Sequence, residues 1–447
     1  MVFLPDAAAR GPGLKFLLVA AITLVMALPL YFIVTILTDR QEYALTAAAD
    51  IERGWGGPQK LAGPLLAVPY SLSSTTFATD GTGSTIDARH VAIFLPKTLT
   101  ADIDSTAKAR ARGIFDVNVY TATVGMKGIF QRPDFAKLGI APTAIAWDQA
   151  TILMPIGDLH GLSENVTMRW DAARRAVEFS PGLTIMPLSG ISARVPLSAE
   201  TGDIPFDVTV KLRGTRQLML AATAGETIVN ARGNWPHPSF QGSFLPASHE
   251  ITAQGFKASW RVPHLARNLP QASRNTDVLA QGLEAASFGV SFVQPVNFYL
   301  LVERALKYAM MFIGSVFLSF FLIETLSGAR IHGVQYLLIG GAQVVFYLLL
   351  LSFAEQAGFD VAYLIAASAA VLLISAYGLS ALKSWTSGGI VFGVLSVLYT
   401  LLFMLLKQED HALVIGACAA FAAIALTMYV TRNVDWYGSP KAVASPQ

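Results

Sequence analysis

The sequence predicts an α+β membrane protein. Six transmembrane helices, one N-terminal and five C-terminal, frame a large, mainly antiparallel β-sandwich-like domain outside the membrane. Three observations carry this. Of the 447 residues, 53% are hydrophobic and only 14% charged, where a soluble chain is about one quarter charged. The apolar residues gather in long runs near the two ends, and the stretch between them alternates with period two.

The first run, "LKFLLVAAITLVMALPLYFIVTILT", covers residues 14–38. At 1.5 Å per residue it is long enough for a hydrocarbon core of about 30 Å. A cleavable signal peptide is the competing reading, since "LTAAAD" follows. Signal-peptide apolar cores span only about 7–15 residues, so an uncleaved anchor is expected. Residues 1–13 form the expected cytoplasmic N-terminus, with Arg10 and Lys15 flanking the run and Asp39 closing it. Five further runs lie at 306–325, 334–354, 361–382, 388–406 and 411–430, a bundle over 306–430. Arg330 with His332, Lys383, Arg432 and Lys441 fall on one set of connections and the tail 431–447, while "EQAGFD" and "KQEDH" fall on the other. The positive-inside rule then puts both termini in the cytoplasm and residues 39–305 outside, in the periplasm of a cell with two membranes. Small residues in "GACAAFAAIAL" and "AASAAVLL" are expected to mark close helix packing.

Residues 39–55 keep helical character and are expected to extend the first helix outward. Strands follow. In "IPFDVTVKLRG", Phe206, Val208, Val210 and Leu212 share one face; in "GFKASWRV", Phe256, Ala258, Trp260 and Val262 do so; "RGIFDVNVY" alternates likewise. "VTMRWDAARRAVEF" reads as a hairpin turning near Asp171, and a long amphipathic helix is expected only at about 270–288. Acids and bases nearly cancel over this region, and net charge is +2, so no nucleic-acid partner is expected. The single cysteine, Cys418, excludes an intrachain disulfide and a Cys-rich metal site.

"NWPHPSFQGSFLP", residues 234–246, has the residue types of an active site. His237, His249 and His264 are 12 and 15 residues apart, which matches no compact zinc pattern. Ser239, His237 and Glu250 lack a nucleophile elbow. Pro236 and Pro238 instead favour extended backbone, so a rigid corner is the first reading. An aromatic contact surface of Trp235, His237, Phe240 and Phe244 is the second. At the start of the second crossing Glu303 and Lys307 are spaced for a helical ion pair, and with Arg304 they are candidates for coupling the outer domain to the bundle. Glu324 is an acid at the cytoplasmic edge of that crossing, where solvation beside Arg330 and His332 is expected to be easy. Glu409, Asp410 and His411 read as a solvated loop. No metal, cofactor or catalytic residue is expected.

Seven stretches taken in order, among them "IERGWGGPQKLAGPLLAVPY", "WPHPSFQGSFLP", "VERALKYAMMFI", "IHGVQYLLIGGAQVVFYLLLLSFAEQAGF" and "MYVTRNVDWY", resemble the CreD-like inner-membrane proteins of Gram-negative bacteria. The resemblance implies a multi-pass inner-membrane protein linked to envelope integrity and envelope-stress responses, accompanying a two-component system. The leading expectation is a non-enzymatic protein whose partners are the bilayer and an envelope glycan, lipid or protein; a transporter or scramblase for a lipid or cell-wall precursor is the alternative. Gly333 stands where the family more often has proline.

Overall fold

The computed structural model describes residues 12–77, 83–112, 115–141, 144–292, 298–408 and 412–432. Arg10, the loop residues Glu409, Asp410 and His411, and Lys441 lie outside them. The chain divides into two compact units, residues 45–295 and the remainder.

In the membrane unit, α1 (Pro12–Val25) and the apolar first part of α2 (Ala27–Trp55) are separated by a break at Met26, and α2 continues beyond Ala44 as part of the other unit. Pro29 explains the interruption, because it cannot donate to the Val25 carbonyl and its ring crowds that group. After α3 (Thr276–Ala285) of the other unit come α4 (Phe298–Ser327), α5 (Gly333–Ala357), α6 (Phe359–Leu382), α7 (Trp385–Lys407) and α8 (Ala412–Thr431). Among the described residues six helices are thus long and apolar enough to cross a membrane. His332 opens α5 as its N-cap, closing a capping box with Gln335. The "AASAAVLL" stretch packs as expected, with Ala366, Ala367 and Ala370 buried. The α8 stretch is less enclosed: none of its apolar window is buried, and its small residues Gly416, Ala419 and Ala420 are half-buried, Gly416 beside Leu405 of α7.

The other unit holds the strands β1 (Gln59–Ala62), β2 (Leu65–Phe77), β3 (Gly83–Phe94), β4 (Thr98–Arg112), β5 (Phe115–Phe130), β6 (Thr151–Pro155), β7 (Thr167–Trp170), β8 (Arg175–Glu178) and β9 (Ser180–Pro181). β10 (Gly190–Arg194), β11 (Ile204–Thr215), β12 (Gln217–Ala221), β13 (Glu226–Gly233), β14 (Pro238–Gly242), β15 (Ser248–Thr252), β16 (Gly255–Pro263), β17 (Ala272–Ser273) and β18 (Ser287–Phe292) follow. They form three sheets, ordered β1-β12-β18-β14, β17-β3-β2-β6-β10-β9 and β15-β16-β13-β4-β5-β11-β7-β8. Among the described residues every strand pairing is antiparallel except β1 with β12 and β4 with β13.

The alternation read from the sequence is the alternation of burial. Phe206, Val208, Val210 and Leu212 of β11 are buried, as are Phe256, Ala258, Trp260 and Val262 of β16. A slip of one residue would put each set in water, so burial pins the register. The β7–β8 hairpin turns through Asp171 and Arg174, both at positive φ. Trp170, Trp260, Tyr120, Phe130 and Phe288 are the largest side chains in this core; each stabilises it by about 2–3 kcal/mol. The expected helix at 270–288 is shorter, because Asn275 caps α3 by accepting from the N–H groups of Asp277 and Val278.

Candidate functional site

The helix α2 ends inside the sheet unit in a dense polar and aromatic joint. Ile51 and Trp55, four apart and therefore on one helix face, pack with Ala48 against Val117 and Val119 of β5. The Trp55 indole N–H donates to the Tyr120 carbonyl at 3.2 Å. Three cations surround its ring: Lys108, Arg110 and Arg213 lie 5.8, 4.9 and 5.2 Å from the centroid. Glu52 forms an ion pair with Arg216 at 2.6 Å. Gly56 stops the helix at φ +118°, where a Cβ would sit 2.9 Å from the Arg213 carbonyl oxygen and the Gly161 Cα.

The chain then turns into β1 through a hydrogen-bond knot. Gly57 N–H donates to Asp158 Oδ2 at 2.8 Å, and His160 N–H to Oδ1 at 3.0 Å. Gln59, fully buried, donates from Nε2 to the carbonyls of Asp158 and Arg213 at 3.0 and 3.1 Å and accepts from Asp158 N–H at 3.3 Å. Burial opposes ionisation of Asp158, but the Gly57 and His160 N–H donors and the His160 ring outweigh it and lower its pKa. Burial drives the Tyr120 phenol well above its ordinary range, so it stays a neutral donor to the Gln217 carbonyl at 2.7 Å. The joint offers no nucleophile beside a base. It holds the last turns of α2, residues 48–55, within the sheet unit.

The membrane unit holds α1 and the first part of α2 at two levels. Lys15 of α1 pairs with Glu324 of α4 and donates to the Ile331 carbonyl at 3.0 Å. Glu324 also accepts from Ile331 N–H at 2.6 Å and from the Tyr336 hydroxyl at 2.9 Å. Contrary to the expectation of easy solvation, Glu324 is only 5% exposed. Its counter-charge is Lys15 rather than Arg330 or His332, because the apolar helices around it exclude water and leave one cation in reach. At the opposite end Arg40 lies 3.8 Å from Glu355, which also accepts from the Tyr299 hydroxyl at 3.1 Å. Glu303 and Lys307 make their ion pair at 2.8 Å on α4, with Arg304 half-buried between them.

The corner at 234–246 is built into the sheet. Phe240 on the edge strand β14 has its ring 6.0 Å from that of Phe256 and 5.7 Å from that of Trp260; Phe244 meets Phe288 at 5.7 Å. Trp260 Nε1–H donates to the Phe244 carbonyl at 3.1 Å. Trp235, Phe240 and Phe244 are half-buried against the core, and His237 is exposed. Among the described residues no hydrogen bond joins His237 to Ser239 or Glu250, and no group of three or more His, Cys, Asp or Glu could hold a metal ion.

Six apolar helices with a sheet-rich unit between the first and second define a multi-pass membrane protein of mixed α+β class. A family model described as inner membrane protein CreD matches residues 12–437. Inner membrane protein CreD of Escherichia coli (strain K12) is 32% identical over 433 residues, covering 95% of this chain and 94% of the relative. The chain belongs to the CreD inner-membrane protein family.

Sequence reasoning pointed to Glu303–Lys307 for coupling and missed the joint. The signal was present in "IERGWGGPQK", where a helical run ends in Gly-Gly-Pro with an indole, an acid and a base in its last turn. It also missed that Lys15 and Glu324, at the same ends of two antiparallel crossings, are matched in depth.

Proposed function

We propose that this protein supports cell-envelope integrity without catalysing a reaction. Its sheet unit lies in the periplasm and recognises an envelope component, and α2 carries the state of that unit into the helix bundle. The observation that supports this is the helix α2, unbroken over the roughly 22 Å from Arg40 to Trp55 and held at both of these points. Arg40 engages Glu355 in the membrane unit, and Glu52 and Trp55 engage Arg216 and Tyr120 in the sheet unit. Between these points α2 has no loop in which a rotation would be lost.

A phase test follows. One alanine inserted after Ala44 turns Glu52 and Trp55 by about 100° relative to Arg40, whereas seven residues restore the phase to within about 20°. In cells lacking the chromosomal copy, the one-residue insertion should fail to rescue detergent sensitivity and the seven-residue insertion should rescue it, at equal membrane abundance. Equal rescue by both would contradict coupling through α2.

A second reading, lipid or precursor translocation, draws support from one feature of the bundle. Gln343, Tyr347 and Tyr399 are buried with side-chain polar atoms that have no hydrogen-bond partner among the described residues, an arrangement that favours a polar path. Movement of a fluorescent lipid across liposomes by the purified protein, abolished by Gln343→Leu, would favour it over coupling.

A further inference from the structure

The eight-stranded sheet turns one face to the core and leaves the other open. Register brings Ser259, Asn230, Asp102, Gly125 and Thr209 into one row across five strands of the open face. The adjacent row is Lys257, Arg232, Asp104 and Thr123. The two rows line a groove of about 870 Å³.

Its side chains are already ordered. Ser259 Oγ donates to Asn230 Oδ1 at 3.0 Å, Asn230 Nδ2 to Asp102 Oδ1 at 3.0 Å, and Arg232 Nη2 to Asp104 Oδ2 at 2.6 Å. These bonds use one oxygen of each carboxylate. Planar acceptors and donors therefore stand in line with capacity for further hydrogen bonds.

Gly125 is the fourth of the five residues in the first row and lies inside a long strand, where glycine costs stability. Its own protein does not require it: an added Cβ would find nothing nearer than the Asp102 carbonyl oxygen at 4.0 Å. Gly128, three residues on, differs, because a Cβ there would collide with Thr98 and Phe206. The open floor at Gly125 lets a ring lie against the backbone.

The charges select the occupant. Asp102, Asp104 and Glu250 face Arg232 and Lys257 in the lining, so neither a polyanion nor a polycation finds a matching field. An acyl chain would cover the charged side chains of Asp102, Asp104, Arg232 and Lys257 without offering them a hydrogen bond, which disfavours it. What remains is a neutral ligand dense in hydroxyl and amide groups. We propose that this face binds a neutral glycan strand, a pyranose ring lying over Gly125 with its hydroxyls on Asp102, Asn230, Asp104 and Arg232. This rests on the reading that the sheet unit faces the envelope.

The full chain in nanodiscs is titrated with chitotetraose, cellotetraose and maltotetraose, with heparin and tetralysine as charged comparisons. At least one neutral tetrasaccharide should bind saturably with a Kd on the order of 1 mM or tighter. Asp102→Ala with Asn230→Ala, and separately Gly125→Val, should each weaken it at least tenfold (Gly125→Val with unchanged Tm, since it fills open space and suits a strand). Three outcomes would overturn the proposal: no saturable binding of any of the three, preference for heparin or tetralysine, or binding that both variants leave intact. Outside labelling of the sheet unit separates the two readings. Lost glycan binding with outside labelling retained removes only the glycan, and a cytoplasmic sheet unit removes both.

Discussion

Glu324 and Asp158 are both held carboxylates, and their surroundings make different predictions. Glu324 is enclosed with one cation, so Lys15→Ala leaves a buried charge without its partner. Such losses cost about 3–5 kcal/mol. The Lys407–Asp360 pair, at 2.6 Å but with side chains 36% and 62% exposed, belongs to the class worth about 0–1 kcal/mol. Thermal unfolding in detergent should therefore show a large drop in Tm for Lys15→Ala and almost none for Lys407→Ala. Asp158 has a folded pKa below its unfolded value of about 4. Its contribution is full above that unfolded value and is lost as pH falls through the lower folded one. The Tm gap between the native protein and Asp158→Asn should be widest at pH 6 and close as the pH drops below about 4.

The strand β14 decides what the aromatic corner is. Phe240 lies against Phe256 and Trp260, so Phe240→Ala should cost about 2–3 kcal/mol in chemical unfolding of the sheet unit. Exposed His237 changed to alanine should cost almost nothing. Loss of function in Phe240→Ala at unchanged stability would instead mark the corner as a contact surface. Elements with a strict period were legible in the sequence: β11, β16, the hairpin at Asp171 and the five C-terminal helices needed only alternation, turn residues or apolar length. Two features were not. The joint of Trp55, Gln59 and Asp158 joins residues a hundred positions apart through side chain to backbone bonds that leave no periodic trace. The loosely enclosed alanines of α8 have the same composition as the buried ones of α6, so composition could not tell them apart. The two parallel pairings and the third sheet were hidden for the same reason, since alternation fixes a strand's faces but not its neighbours.

At the level of the whole chain, the six apolar helices alternate in direction, and the charged clusters obey that alternation. Lys15, Glu324 and Ile331 meet at one set of helix ends, and Arg40, Tyr299 and Glu355 at the other. The excess of Arg330, Lys383 and Arg432 at the first set supports placing both termini inside and the sheet unit outside. Recognition in the periplasm and transmission through α2 both depend on that placement. Leu265, 91% exposed in the sheet unit, is the position to probe. With Cys418 changed to alanine and Leu265 to cysteine, a membrane-impermeant maleimide should label intact spheroplasts as fully as lysed ones. Labelling only after lysis would contradict the account.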